Sequence, residues 1–153
     1  MMAASAFTGF ALDRSGAVWG WGDGSFGLLG AGQCRAGLRQ ECLSSSAPVR
    51  VRGLGHVVAI AAGGQSAYAL SADGTVWAWG DNSYGQLGDG TTRASAKPVR
   101  VARLSHIVSI AAGGSAAYAL SAEGTVWAWG DNSYGQLGNG TTVSSPLPVR
   151  VKF

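Results

Sequence analysis

Twelve residues, Trp77-Ala78-Trp79-Gly80-Asp81-Asn82-Ser83-Tyr84-Gly85-Gln86-Leu87-Gly88, return unchanged as Trp127 to Gly138. A divergent copy runs from Trp19 to Gly30. Repetition at this period restricts the chain to stacked units, because a unit of this size cannot bury its own apolar faces. The second and third units are close copies. Residues 61–101 and 111–151 differ only at 65, 66, 73, 89, 93, 94, 96 and 97, in the numbering of the first of the two. Pro48, Pro98 and Pro148 recur every 50 residues, whereas Trp19 and Trp77 stand 58 apart. Eight extra residues therefore lie between Gly30 and Pro48 in the first unit.

Each unit divides into four strand candidates. In the second they are 56–61, 66–71, 75–79 and 98–102. The run Val57-Val58-Ala59-Ile60-Ala61 is apolar throughout and predicts a strand buried on both faces. Tyr68 and Leu70 alternate in the next strand, and Ala72-Asp73-Gly74 has hairpin-turn chemistry. Pro98 and Arg100 mark the fourth strand as an outer edge. In the first unit, residues 2–6 are expected to supply the innermost strand. The predicted fold is all-β, three four-stranded antiparallel propeller blades of about 50 residues each. Their expected bounds are 1–52 with an inserted loop at 31–47, 53–102 and 103–153.

Composition excludes several function classes. Hydrophobic residues make up 46% and charged residues 12%, too apolar for a disordered chain. The net charge of +3 is a small excess, and the densest basic cluster is Arg50-Val51-Arg52, so nucleic acid is not an expected partner. No run is long and apolar enough for a membrane span, and the first residues lack the pattern of a signal peptide. The cytoplasm is the favoured compartment on that basis.

The chemical motifs have structural readings. Gly22-Asp23-Gly24-Ser25-Phe26-Gly27 spells the dinucleotide fingerprint but precedes no helical pattern. Asp81-Asn82-Ser83 lacks the alternating oxygen ligands and terminal Glu of a calcium loop, so the polar side chains are assigned to turn-building. His56 and His106 have no companions at catalytic spacing. No enzyme, cofactor or metal is expected. Cys34 and Cys42 lie within the insertion, where they would be a staple in an oxidising compartment and free thiols in a cytosol. Arg50, Arg100 and Arg150 repeat on the outer strand, where edge protection is the expected role.

The order Val58-x-Ile60-Ala61-Ala62-Gly63-Gly64, then Asp73-Gly74-x-Val76-Trp77-x-Trp79-Gly80-x-Asn82-x-x-Gly85-Gln86-Leu87-Gly88, resembles the repeat of the regulator of chromosome condensation family. The third unit matches through Trp127, Trp129, Gly130, Asn132, Gly135, Gln136, Leu137 and Gly138, and the first more weakly. These residues are assigned to the structural blade motif. Many family repeats carry a His after the Gly-Gly turn, where this chain has Thr8, Ser66 and Ala116.

The resemblance implies a propeller, usually of seven blades, that presents loops to another protein. Three units imply a partial propeller or a ring closed by oligomerisation, two chains supplying six blades. The expected function is a non-enzymatic protein-interaction scaffold. Small-ligand or glycan binding on the propeller face is the alternative, followed by nucleotide exchange or chromatin binding. Specificity is expected where the repeats differ: Gln65, Arg93, and Arg35, Arg39 and Glu41 of the insertion.

Overall fold

Backbone pairing divides the computed structural model, which describes residues 1–32 and 42–153, into three separate four-stranded sheets. The first contains β1 (Met2–Ala4), β2 (Thr8–Leu12), β3 (Val18–Gly22) and β4 (Ser45–Arg50). The second contains β5 (Val57–Ala62), β6 (Ser66–Ser71), β7 (Val76–Gly80) and β8 (Ser95–Arg100). The third contains β9 (Ile107–Gly113), β10 (Ala116–Ser121), β11 (Val126–Gly130) and β12 (Ser145–Arg150). Strands follow chain order within each antiparallel sheet, as propeller blades require. The only helical piece among the described residues is a 3-10 turn at Ser25–Gly27.

Three expectations need correction. The innermost strand of the second blade is not buried on both faces: Val57 and Ile60 are buried, while Val58 is exposed. An innermost strand pairs on one side only, with β6, and only part of its surface meets a neighbouring blade. The fourth strand begins at Ser95 rather than Pro98, because Ser95 pairs with Gly80 beyond an irregularity in the β7–β8 ladder. Pro98 is tolerated within it because β8 is an edge strand. For the same reason β4 starts at Ser45, inside the expected loop. In the first blade the innermost strand stops at Ala4, where Ser5 N–H turns back to the Thr8 carbonyl at 2.9 Å.

Two hydrophobic cores lie between blades rather than within them. Phe10, Val18 and Leu28 of the first blade pack with Ile60, Ala67, Ala69 and Trp79 of the second. Tyr68, Leu70, Val76 and Leu87 of the second pack with Ala117, Ala119 and Trp129 of the third. The two interfaces share one design. A large ring from one blade meets the next blade's second tryptophan edge-on, Phe10 on Trp79 at 6.0 Å and Tyr68 on Trp129 at 6.2 Å. Each buried indole N–H donates to a backbone carbonyl of the preceding blade. Trp79 reaches Leu28 at 2.8 Å and Trp129 reaches Gln86 at 2.9 Å. Because the acceptor is main chain, the change from Gln86 to Leu28 leaves the contact intact.

Candidate interaction face

The loop after β7 is built around one buried amide. Asn82 Nδ2 donates to the carbonyls of Thr91 at 3.1 Å and Arg93 at 3.0 Å, while its Oδ1 accepts from Leu87 N–H at 2.9 Å. Gln86 braces the same loop, donating to Asp81 Oδ2 at 2.8 Å and accepting from Tyr84 N–H at 2.9 Å. Asn132 and Gln136 repeat the arrangement on Thr141, Val143, Leu137, Asp131 and Tyr134. Ser133 donates to Asp131 Oδ1, the largest of the influences that hold the Asp131 carboxyl below its ordinary range. The polar residues that resemble a cation loop are thus engaged with each other and with backbone. Among the described residues, no group of three or more His, Cys, Asp or Glu is placed to hold a metal.

This tie is missing from the first blade. Gly24 stands in place of Asn82, and the returning chain moves into the vacated volume. A Cβ on Gly24 would lie 2.1 Å from the Leu43 carbonyl oxygen. Gly24 N–H donates instead to Ser44 Oγ at 3.1 Å. The eight-residue insertion therefore occurs in the blade whose loop lacks the asparagine clasp. It leaves the frame at Gly32, whose N–H donates to Ala96 O of the second blade at 3.1 Å. Cys42, just after it, is disulfide-bonded.

Hydrogen bonding brings the two described candidate residues to one end of the second sheet. The Gln65 carbonyl accepts from Asp81 N–H at 2.8 Å, and Asn82 holds the Arg93 carbonyl. Both side chains are exposed. The ends of the insertion, Gly32 and Leu43, belong to the equivalent loop of the first blade, so they open on the same face. Arg35, Arg39, Glu41 and Cys34 lie outside the described residues.

The opposite face carries the hairpins and the connections between blades. There Asp13 accepts from Ser15 and from Trp19 Nε1 at 2.8 Å, which holds its carboxyl well below the usual range. His106 Nδ1 lies 3.3 Å from Glu123 Oε1, with both side chains exposed. Arg50, Arg100 and Arg150 are exposed on the outer strands, each opposite the first tryptophan of its blade.

Thr8 and Ser66, in the places where histidines are common, are buried polar anchors. Thr8 Oγ1 donates to Asp23 O at 2.9 Å, and Ser66 Oγ shares a hydrogen bond with Tyr68 Oη at 2.9 Å. Sequence reading did not single out the Asn82 clasp as the device that shapes the variable loop. Its signal was present in the paired recurrence of Asn82 with Thr91 and Asn132 with Thr141.

Comparison with known proteins bears on both frame and loops. A model of the regulator of chromosome condensation (RCC1) repeat matches residues 15–70, 73–120 and 123–153. A second model of that repeat matches 57–86 and 107–136. The human E3 ubiquitin-protein ligase HERC2 is 44% identical over 86 residues, covering 55% of this chain and 2% of HERC2. Protein RCC2 homolog of Danio rerio is 38% identical over 81 residues, covering 52% of this chain and 15% of that protein. Human WBSCR16 superposes with a TM-score of 0.83 at 25% identity, over 99% of this chain and 39% of its own. Prp20p of Saccharomyces cerevisiae, a protein that binds Gsp1p and histones, gives 0.86 at 24% identity, over 100% and 38%. The chain thus spans a small part of these relatives and less than two fifths of either solved structure.

Proposed function

Because the chain belongs to the regulator of chromosome condensation (RCC1) repeat family, we propose that it is a non-enzymatic protein-interaction scaffold. The observation that carries this reading is the contrast on one face between an invariant frame and variable tips. Gln65, Arg93 and both ends of the insertion project from loops whose braces repeat from blade to blade. Rigid frames with variable loops suit recognition of another protein, since little loop ordering is left to oppose binding. Prp20p, which shares the fold, binds Gsp1p and histones. The ligase chemistry in the name of HERC2 is not proposed here, since the matched part is 2% of that protein.

The partner is proposed to contact Gln65, Arg93 and the insertion through Arg35, Arg39 and Glu41. Photo-crosslinking residues placed singly at 65 and 93, and at 73 and 123 on the opposite face, test this in cell extract. Crosslinks to one protein are expected from 65 and 93 and not from 73 or 123. Joint replacement of Arg35, Arg39 and Glu41 by Ala should reduce them. Crosslinks arising only from 73 and 123 would transfer the function to the hairpin face.

A further inference from the structure

We propose that the third blade docks head-to-tail on the first blade of a second copy of this chain, and that two such contacts close a ring. The argument extends the two interfaces already present. Each interior contact joins a presenting face to a receiving face. The presenting face of the second blade is Tyr68, Leu70, Val76 and Leu87, and it receives Ala117, Ala119 and Trp129. Counted along the repeats, the unused presenting face is Tyr118, Leu120, Val126 and Leu137. The unused receiving face is Met2, Gly9, Ala11 and Trp21.

Both unused faces retain the features of a blade contact. Leu70 is 3% exposed and Leu120 is 38% exposed, although their local sequences are the same. Met2, the counterpart of buried Ile60, is 75% exposed. The polar groups are complementary as well. The Gln86 carbonyl accepts from both Tyr68 Oη and Trp129 Nε1. The Gln136 carbonyl accepts from Tyr118 Oη at 2.9 Å, and no indole reaches it among the described residues. Trp21, the counterpart of Trp79 and Trp129, has no acceptor for its N–H among the described residues, whereas those two do.

The backbone is also prepared for close approach. A Cβ on Gly63 would meet the Gly114 carbonyl of the next blade at 2.8 Å, and one on Gly113 would meet nothing. In the proposed contact Gly113 faces Ala6 of the second copy, the counterpart of Gly114's blade-two equivalent. A contact that joins different faces closes a ring if its rotation permits and otherwise runs on as a filament. Two chains of three blades form the smallest such ring.

Sedimentation velocity on the 153-residue chain tests the proposal. The expected result is one species of twice the 15.5 kDa chain mass. Gly113→Leu adds bulk where the single chain has open space and should give a monomer with an unchanged far-ultraviolet spectrum. Trp21→Phe keeps the ring, removes the donor, and should weaken self-association about tenfold. A wild-type monomer at all concentrations would overturn the proposal. So would a dimer indifferent to both substitutions, or a polymer that lengthens with concentration.

Discussion

The second and third blades share an identical twelve-residue segment but not an identical environment. From Asp81 to Leu87 and from Asp131 to Leu137 the local hydrogen bonds repeat, with the clasping Asn and bracing Gln in the same roles. Solvent separates them. Tyr84 is 49% exposed and Tyr134 93%, and Gln86 is buried where Gln136 is only half-buried. The loop's conformation is thus encoded by its own side chains, while its burial depends on having a following blade. In one copy Gly85 presses against Pro146 of the next outer strand, and in the other Gly135 faces open space.

The strongest way to break this comparison is to add one methyl group to each loop. Gly85→Ala would place a Cβ 2.4 Å from Pro146 Cα at a φ of +79°, combining strain with overpacking. It is expected to cost about 3 kcal/mol in urea unfolding of the dilute, monomeric chain. Gly135→Ala has a similar φ but no close neighbour, so about 1 kcal/mol is expected. If the third blade docks on a second copy, the cost of Gly135→Ala should rise with protein concentration. Equal costs in the dilute chain would show that local strain, not the neighbouring blade, governs both.

A smaller effect is expected from the paired tyrosines. Burial pushes the Tyr68 phenol well above its ordinary range, and burial raises Tyr118 as well. A raised folded-state value means that the protonated phenol supports the fold. That support is complete below the unfolded value of about 10 and declines as the pH rises above it. Tyr68→Phe should remove most of the alkaline loss of stability above about pH 10, and Tyr118→Phe less. At neutral pH, Tyr68→Phe is expected to cost about 1 kcal/mol, since it leaves the Gln86 carbonyl with only Trp129. Thermal melts from neutral to strongly alkaline pH check both parts, and an equal alkaline response in the two variants would contradict the burial difference.

The smallest effect concerns the hairpin tips. Asp73 is held low mainly by the Thr75 N–H, and Glu123 mainly by the Ser121 hydroxyl. Depressed carboxyl values support the fold above about pH 4, and that support fades as the pH falls. Asp73→Asn and Glu123→Gln should therefore flatten the acid limb of stability slightly and leave the neutral melting temperature nearly unchanged. A large neutral shift from Glu123→Gln alone would show that its contact with His106 matters more than exposure implies.

Much of the fold was legible because each blade is locally specified. Tyr68 and Leu70 alternate in a strand that runs from Ser66 to Ser71 as expected, and Asp73-Gly74 turns into β7. The start of β8 was missed because Pro98 reads as a strand beginning. An outer strand can hold a proline in its middle when its far side has no partner. The candidate site was less legible. Gln65 and Arg93 are far apart in sequence and come to one face through Asp81 and Asn82, whose backbone partners carry no side-chain signature.

The sequence by itself determined the repeat, the strand periodicity and the turn chemistry, because these depend on side chains acting on nearby backbone. Only the tertiary structure decided which of two identical tryptophan-to-glycine segments is sealed and which is open. Burial belongs to a pair of surfaces, and one repeat cannot state whether another will stand beside it. The same reason explains why Leu28 can replace Gln86 beneath a tryptophan: the neighbour reads the carbonyl, which every residue possesses.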